Sequence, residues 1–266
     1  MDSRAYLLTP PNARLEPALQ AGFRFGAKGT HTSRTIMLAE LLTLFQTAGR
    51  DSDRAEYSAT IIGDNCLAKR TMATRRLTAQ RLSELYGLDP SIPVFRVLRK
   101  LWDFDERARP LLAMQCAIAR DPLLAATAQP ILSLPIGSEF LREPVKAVLL
   151  DLTGERLNEA ILNKVIRNAA SSWTQSGHLE GRALKKRRQV HPTAANVAYS
   201  LFLARCAGFR GAELFSCAWM LLLDCSPSLA RELAFEAKRL GLIDLRIAAD
   251  VIELNLNRLS SGIQGL

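Results

Sequence analysis

Residues 157–192 constrain this chain more than any other stretch. A run with helical apolar spacing begins at Leu157 and continues to Ser176-Gly177, where glycine stops it. Then comes a segment in which Arg182, Lys185, Lys186, Arg187 and Arg188 fall within seven positions, with no acid among them. Helix, glycine stop and basic two-stranded flap is the outline of a winged helix-turn-helix. The partner helix is the run Glu139 to Leu152, capped by Ser138, with Pro144 tolerable in its first turn or as a kink. Thr153-Gly154 supplies the tight turn between the two. In the second helix Leu157, Ile161, Val165 and Ile166 form the expected buried stripe. Asn158, Asn163, Lys164, Arg167 and Asn168 lie largely on other faces. Asn and Arg are the side chains that pair bidentately with base edges in a major groove.

A second basic segment lies upstream. Between Asp64 and Glu84 there are five basic residues and no acidic one. Thr71 can cap a helix that carries Arg75 and Arg76 on one side of its first two turns, with Lys69 and Arg70 just before it. Cations at a helix N-terminus oppose the macrodipole, an unfavourable placement unless an anion binds there. Phosphate contact is the functional reading of both clusters; the alternatives are a solvated surface for the upstream one and, for the flap, a disordered basic loop or a patch that docks on an acidic protein.

The run Asp64, Asn65, Leu67, Lys69, Arg70, Thr74, Arg75 and Arg76, followed by Arg81, Leu82 and Leu85, resembles the BrxA family of bacterial BREX phage-exclusion systems. The resemblance is densest over residues 30–125. It implies an all-helical accessory protein that contains a winged helix, binds double-stranded DNA and has no catalysis of its own, in antiviral defence alongside other BREX components.

The rest of the chain reads as mainly helical, because Leu, Ala and Arg abound and aromatics make up only 6%. Pro90 and Pro93 mark a boundary, giving an N-terminal helix-turn-helix-like domain (1–92) and a C-terminal helical domain (93–266). The latter holds the winged unit at about 138–192 and a terminal helix and hairpin. Expected helices include Arg34 to Phe45 after a Thr32 or Ser33 cap, Ser52 to Ile62, Ala194 to Ala207 between Thr193 and Gly208, and Ser228 to Leu240 after Ser226-Pro227. Ile131 to Leu134, bounded by Pro130 and Pro135, reads as a loop or a brief extended segment. Val251 to Asn257 alternates apolar and polar as a half-buried strand does, and pairs with Leu242 to Ile247. The run Gly26-Ala27-Lys28-Gly29-Thr30 lacks the spacing of a phosphate loop and reads as a turn.

A formal charge of +9 favours a polyanionic partner. The apolar run Leu214 to Leu223 is about half what a bilayer-spanning helix needs, so it reads as a buried helix, with no membrane partner. Five cysteines, none in a C-x-x-C pair, read as reduced core thiols of a cytoplasmic protein. His31, His178 and His191 show no metal spacing, and no nucleophile, zinc-protease, dinucleotide or P-loop motif occurs. The expectation is therefore a non-enzyme with no cofactor, metal or small-molecule substrate. An adaptor that docks an acidic protein and a helical RNA-binding protein are the competing readings. Few aromatics near the basic clusters argue against a single-strand platform.

Overall fold

The computed structural model describes residues 8–10, 13–248 and 251–260. The described helices are α1 (Glu16–Ala21), α2 (Leu38–Thr47), α3 (Arg54–Ile62), α4 (Met72–Tyr86), α5 (Pro93–Trp102), α6 (Arg109–Arg120), α7 (Pro122–Ala126) and α8 (Ala128–Leu132). They continue as α9 (Arg142–Thr153), α10 (Glu159–Gln175), α11 (Ala194–Ala207), α12 (Ala218–Leu221) and α13 (Pro227–Arg239). Two antiparallel hairpins complete the mainly helical fold: β1 (Leu179–Glu180) with β2 (Lys186–Arg187), and β3 (Asp244–Ala248) with β4 (Val251–Asn255).

Local chemistry accounts for most boundaries. The Thr71 hydroxyl accepts the N–H of Thr74 at 3.1 Å and opens α4. Asp53 and Glu56 form a reciprocal capping box that starts α3 two residues later than Ser52. Pro93 takes the first position of α5, where its missing N–H costs nothing. Gly208, at φ 107°, closes α11 in the left-handed conformation that glycine adopts without a Cβ penalty. Buried side chains on both sides of Pro93 belong to one cluster running from Leu8 to Leu259. The expected boundary between residues 92 and 93 thus lies inside a shared core.

Four expectations are corrected. Arg34 to Phe45 is not one helix: Thr30–Thr32 forms a 3-10 turn, the chain then runs irregularly, and α2 begins only at Leu38 after Met37 at φ 53°. The cause is tertiary, because the N–H groups of Ile36 and Leu38 bond to Ser172 Oγ and Gln175 Oε1 on α10 (2.9 and 3.1 Å). Ala128–Leu132 is helical where a loop or brief extended segment is expected from 131. Leu214 to Leu223 breaks into a 3-10 turn (Gly211–Phe215) and the short α12. A segment apolar on every side fixes burial, not period.

The fourth correction completes the winged unit. Residues 137–140 pair with the wing through an isolated bridge and do not start a helix. Gly137 N–H donates to Arg187 O, Arg187 N–H to Ser138 O and Phe140 N–H to Lys185 O, each at 2.8 Å. A bridge pairs Glu139 with Lys186. Helix α9 therefore begins at Arg142, with Pro144 harmlessly inside its first turn. The order helix (α8), bridge at Glu139, helix (α9), helix (α10), β1, β2 follows the outline of a winged helix. After it, α11, α12 and α13 lead into the β3–β4 hairpin, with Asp244 opposite Asn255 and Ala248 opposite Val251.

Candidate nucleic-acid interface

Helix α10 has three faces. Leu162, Val165, Ile166, Ala169 and Trp173 are buried, and Trp173 donates its indole N–H to Thr127 Oγ1 at 2.8 Å. A second stripe, Asn168, Ser172 and Gln175, is covered by residues 30–38, with Asn168 Nδ2 donating to the carbonyl of His31 at 2.8 Å. The third face carries Ala160, Lys164 and Arg167, all exposed. Ile161 is also outward, 37% exposed, so Leu162 takes its expected place in the buried stripe.

The asparagines expected to read bases are committed elsewhere. Asn158 caps the helix by accepting the N–H of Ile161. Asn163 accepts from Arg142 at 2.7 Å and donates to Glu159, while Asn168 bonds His31 as above. Lys164 and Arg167 remain as the free cations of this face. Arg142 on α9, exposed and held over α10 by Asn163, and Lys146, paired with Glu159 at 2.9 Å, extend it. Neither stands out in the sequence, because only the crossing of α9 over α10 brings them to this face.

The flap forms as expected, but its cations divide. Gly181, at φ 102°, allows the tight return, because a Cβ there would lie 2.0 Å from Leu184 O. Arg182, Lys186 and Arg188 are exposed, with Arg188 held only loosely by Glu180 at 3.5 Å. Lys185 is half-buried and donates to Thr174 Oγ1 at 2.8 Å, which fastens the wing to the end of α10. Arg187 is corrected. It is 2% exposed, and its guanidinium bonds the Asp224 carboxylate and the carbonyls of Arg188 and His178, so it cannot reach a phosphate. It lies opposite Leu179 in the hairpin register, on the inward face of a two-residue strand period. That alternation is the signal that could have separated it from Lys186 and Arg188.

In the upstream cluster Arg70 is exposed, whereas Lys69 pairs with Glu40 at 3.1 Å. Arg75 braces the preceding loop by donating to Lys69 O and Ile62 O, and Arg76 is exposed at the rim of a cleft between α3 and α4. Bonds run from one cluster to the other: Lys69 to Glu40, α2 through the Leu38 N–H to Gln175, and the adjoining Thr174 to Lys185. The two basic clusters therefore sit on either side of the C-terminal end of α10.

Two of the three histidines, His31 and His178, are buried and hydrogen-bonded within the fold. His31 Nδ1 lies 2.8 Å from Asp121 Oδ2 and its Nε2 2.8 Å from Ser172 Oγ, the connectivity of a hydrolytic triad. Ser172 is wholly buried, however, and its Oγ also bonds Asn168 O and Ile36 N–H, so the group braces the 30–38 segment against α10. Burial works against the Asp121 carboxylate. The His31 ring and the N–H groups of Leu124 and His31 outweigh it and hold the carboxyl below its ordinary value. His178, under the wing, is buried against Trp173 and the Leu222 carbonyl, and burial pushes it down to about 4. All five cysteines are free thiols, and Cys116, Cys206, Cys217 and Cys225 are pushed up in pKa by burial. Among the described residues no His, Cys, Asp or Glu group has metal-holding geometry, and no helix is long and apolar enough to cross a membrane.

No protein-family model matches this chain, and no curated protein matches it significantly.

Proposed function

We propose that this protein is a non-catalytic double-stranded DNA-binding protein, held mainly through phosphates, that works in the cytoplasm in a BREX-type phage-defence system. The observation that carries the reading is the winged unit itself. Its exposed cations are Lys164 and Arg167 on the outward face of α10 and Arg182, Lys186 and Arg188 on the wing, with Arg142 on α9 held over α10. Phosphate contacts position a protein on duplex without reading sequence, and each one releases counterions. With three asparagines of α10 tied up, base reading falls to Lys164 and Arg167 in its first half, the part of a recognition helix that meets base edges. The resemblance of residues 64–85 to BrxA supports the defence setting and makes other BREX components the natural protein partners. The test is a mobility shift with duplex DNA at low salt, against single-stranded DNA and RNA as competitors. Duplex retained over both supports the reading. No duplex shift, with co-purification of a protein partner that survives nuclease treatment, would replace it by an adaptor role.

A further inference from the structure

Two adjoining cavities, of about 450 and 490 Å³, share Arg24, Glu84 and Arg120 and so form one cleft behind α3, α4 and the segment 23–30. Its walls carry six cations, Arg24, Lys28, Arg54, Arg76, Arg81 and Arg120, against two acids, Glu84 and Asp89. Glu84 is already occupied by Thr30, Gln80 and Arg81, at 2.8, 2.9 and 2.7 Å. Among the described residues Arg24, Lys28 and Arg76 have neither an ion pair nor a hydrogen bond from their side chains, whereas Arg54 lies close enough to Asp89 to favour its charged form. The Nε of Arg81 is buried without a hydrogen-bond partner, an unfavourable placement unless a ligand satisfies it. Arg120 is held below its ordinary value by burial and by the nearby Arg24 charge. Arg81 is spent on Glu84 and Arg120 on the carbonyls of Gly22, Ser83 and Glu84, which leaves the unpaired Arg24, Lys28 and Arg76 as the positive charge that an anion would meet here.

The cleft also has an aromatic and apolar side. Phe25, half-buried, lies nearly parallel to Phe23 (centroids 6.2 Å apart, planes at 22°), beside Leu19. Gly29 brings the chain past Asp121, where a Cβ would lie 2.1 Å from Oδ1, and this sets the 28–30 segment into the cleft wall. Lys28 to Thr30, the second part of the Gly26 to Thr30 turn, therefore line this cleft. An arginine-rich cleft of this size with a phenylalanine surface suits a planar base joined to phosphate. We propose that it binds a mononucleotide, with phosphates held by Arg24, Lys28 and Arg76 and the base against Phe25. The site adds a small-molecule ligand to a chain whose motifs announce none, and it stands apart from the duplex reading.

The test is isothermal titration of the full chain with each of the four ribonucleoside triphosphates, with ribose 5-phosphate, adenosine and inorganic phosphate as part-ligands. At least one triphosphate binds saturably, and every part-ligand is weaker by about tenfold or more. Replacing the exposed pair by Arg24→Ala with Lys28→Ala lowers nucleotide affinity by at least about tenfold, since two charge-assisted hydrogen bonds disappear, and Phe25→Leu weakens the triphosphate but not inorganic phosphate. Duplex DNA binding by the Arg24→Ala, Lys28→Ala variant is unchanged. The proposal is overturned if no triphosphate binds, if inorganic phosphate or ribose 5-phosphate binds as tightly as the nucleotide, or if the double variant binds nucleotide normally. It is overturned equally if that variant loses duplex binding, since the cleft would then belong to the DNA surface.

Discussion

Arg187 of the wing and Asp224 of the loop after α12 form a buried ion pair that joins the two halves of the C-terminal region. Asp224 sits at φ 51° and also accepts the N–H of Val190 at 2.9 Å, so one carboxylate anchors both the end of the wing and its inward guanidinium. Removing one member of such a pair strands a buried charge. Arg187→Ala should destabilise the fold by roughly 3–5 kcal/mol, whereas Lys186→Ala should be close to neutral. Urea unfolding of the two variants measures the contrast, and equal midpoints would show that Arg187 is not the anchor.

His178 sets an acid limit on stability. Its folded value of about 4 lies below the ordinary value for histidine, so the unfolded chain binds the proton more readily. Stability from keeping this ring neutral is fully present above about pH 6.5 and is lost as pH falls from there towards 4. The loss is about 3 kcal/mol across that window. Denaturant midpoints at pH 7.5, 6 and 5 measure it. In His178→Gln the dependence on pH over this range should flatten, and an unchanged slope would assign the effect to other groups.

The His31 brace should matter to the placement of the N-terminal segment. His31→Ala leaves Asp121 and Ser172 buried with fewer partners, at a cost of roughly 3 kcal/mol. Hydrogen exchange reads the position of the damage. The amides of Ile36 and Leu38, bonded to α10, should lose protection first, ahead of those within α6. Uniform loss over the whole chain would mean that the brace is no local fastening.

The outward face of α10 gives a fourth test. Lys164→Ala with Arg167→Ala should weaken duplex binding by roughly 1–3 kcal/mol for each side chain that reads a base, with little change in stability, since both side chains are exposed. Competition among duplexes of different sequence, scored for wild type and variant, tells the two roles apart. Lost discrimination marks base reading, and uniform weakening marks phosphate binding.

Much of the fold is legible in the sequence because short-range chemistry writes it. Thr71 and Ser226 cap their helices, Gly208 ends α11, and the alternation of residues 251–255 marks a strand. The flap and the helix before it are equally plain. What the sequence hides is tertiary. Asn168, Ser172 and Gln175 look like any polar helix face until residues 30–38 are laid on them, and Glu139 reads as helix until Lys186 pairs with it. Within the five cations of the wing, composition gives each one the same role. Only the hairpin register, with Arg187 opposite Leu179, turns one of them inward.

The central claim is that the outward cations of this wing hold the phosphates of duplex DNA, and the salt dependence of binding tests it most directly. Affinity for one duplex is followed by fluorescence anisotropy over a salt series, for wild type and for Arg182→Ala, Lys186→Ala, Arg188→Ala combined. Each neutralised phosphate contributes about 0.9 to the slope of log affinity against log salt, so removing three should flatten it by roughly 2.7, with weaker binding on every sequence. An unchanged slope and affinity would contradict the wing's role as a phosphate clamp.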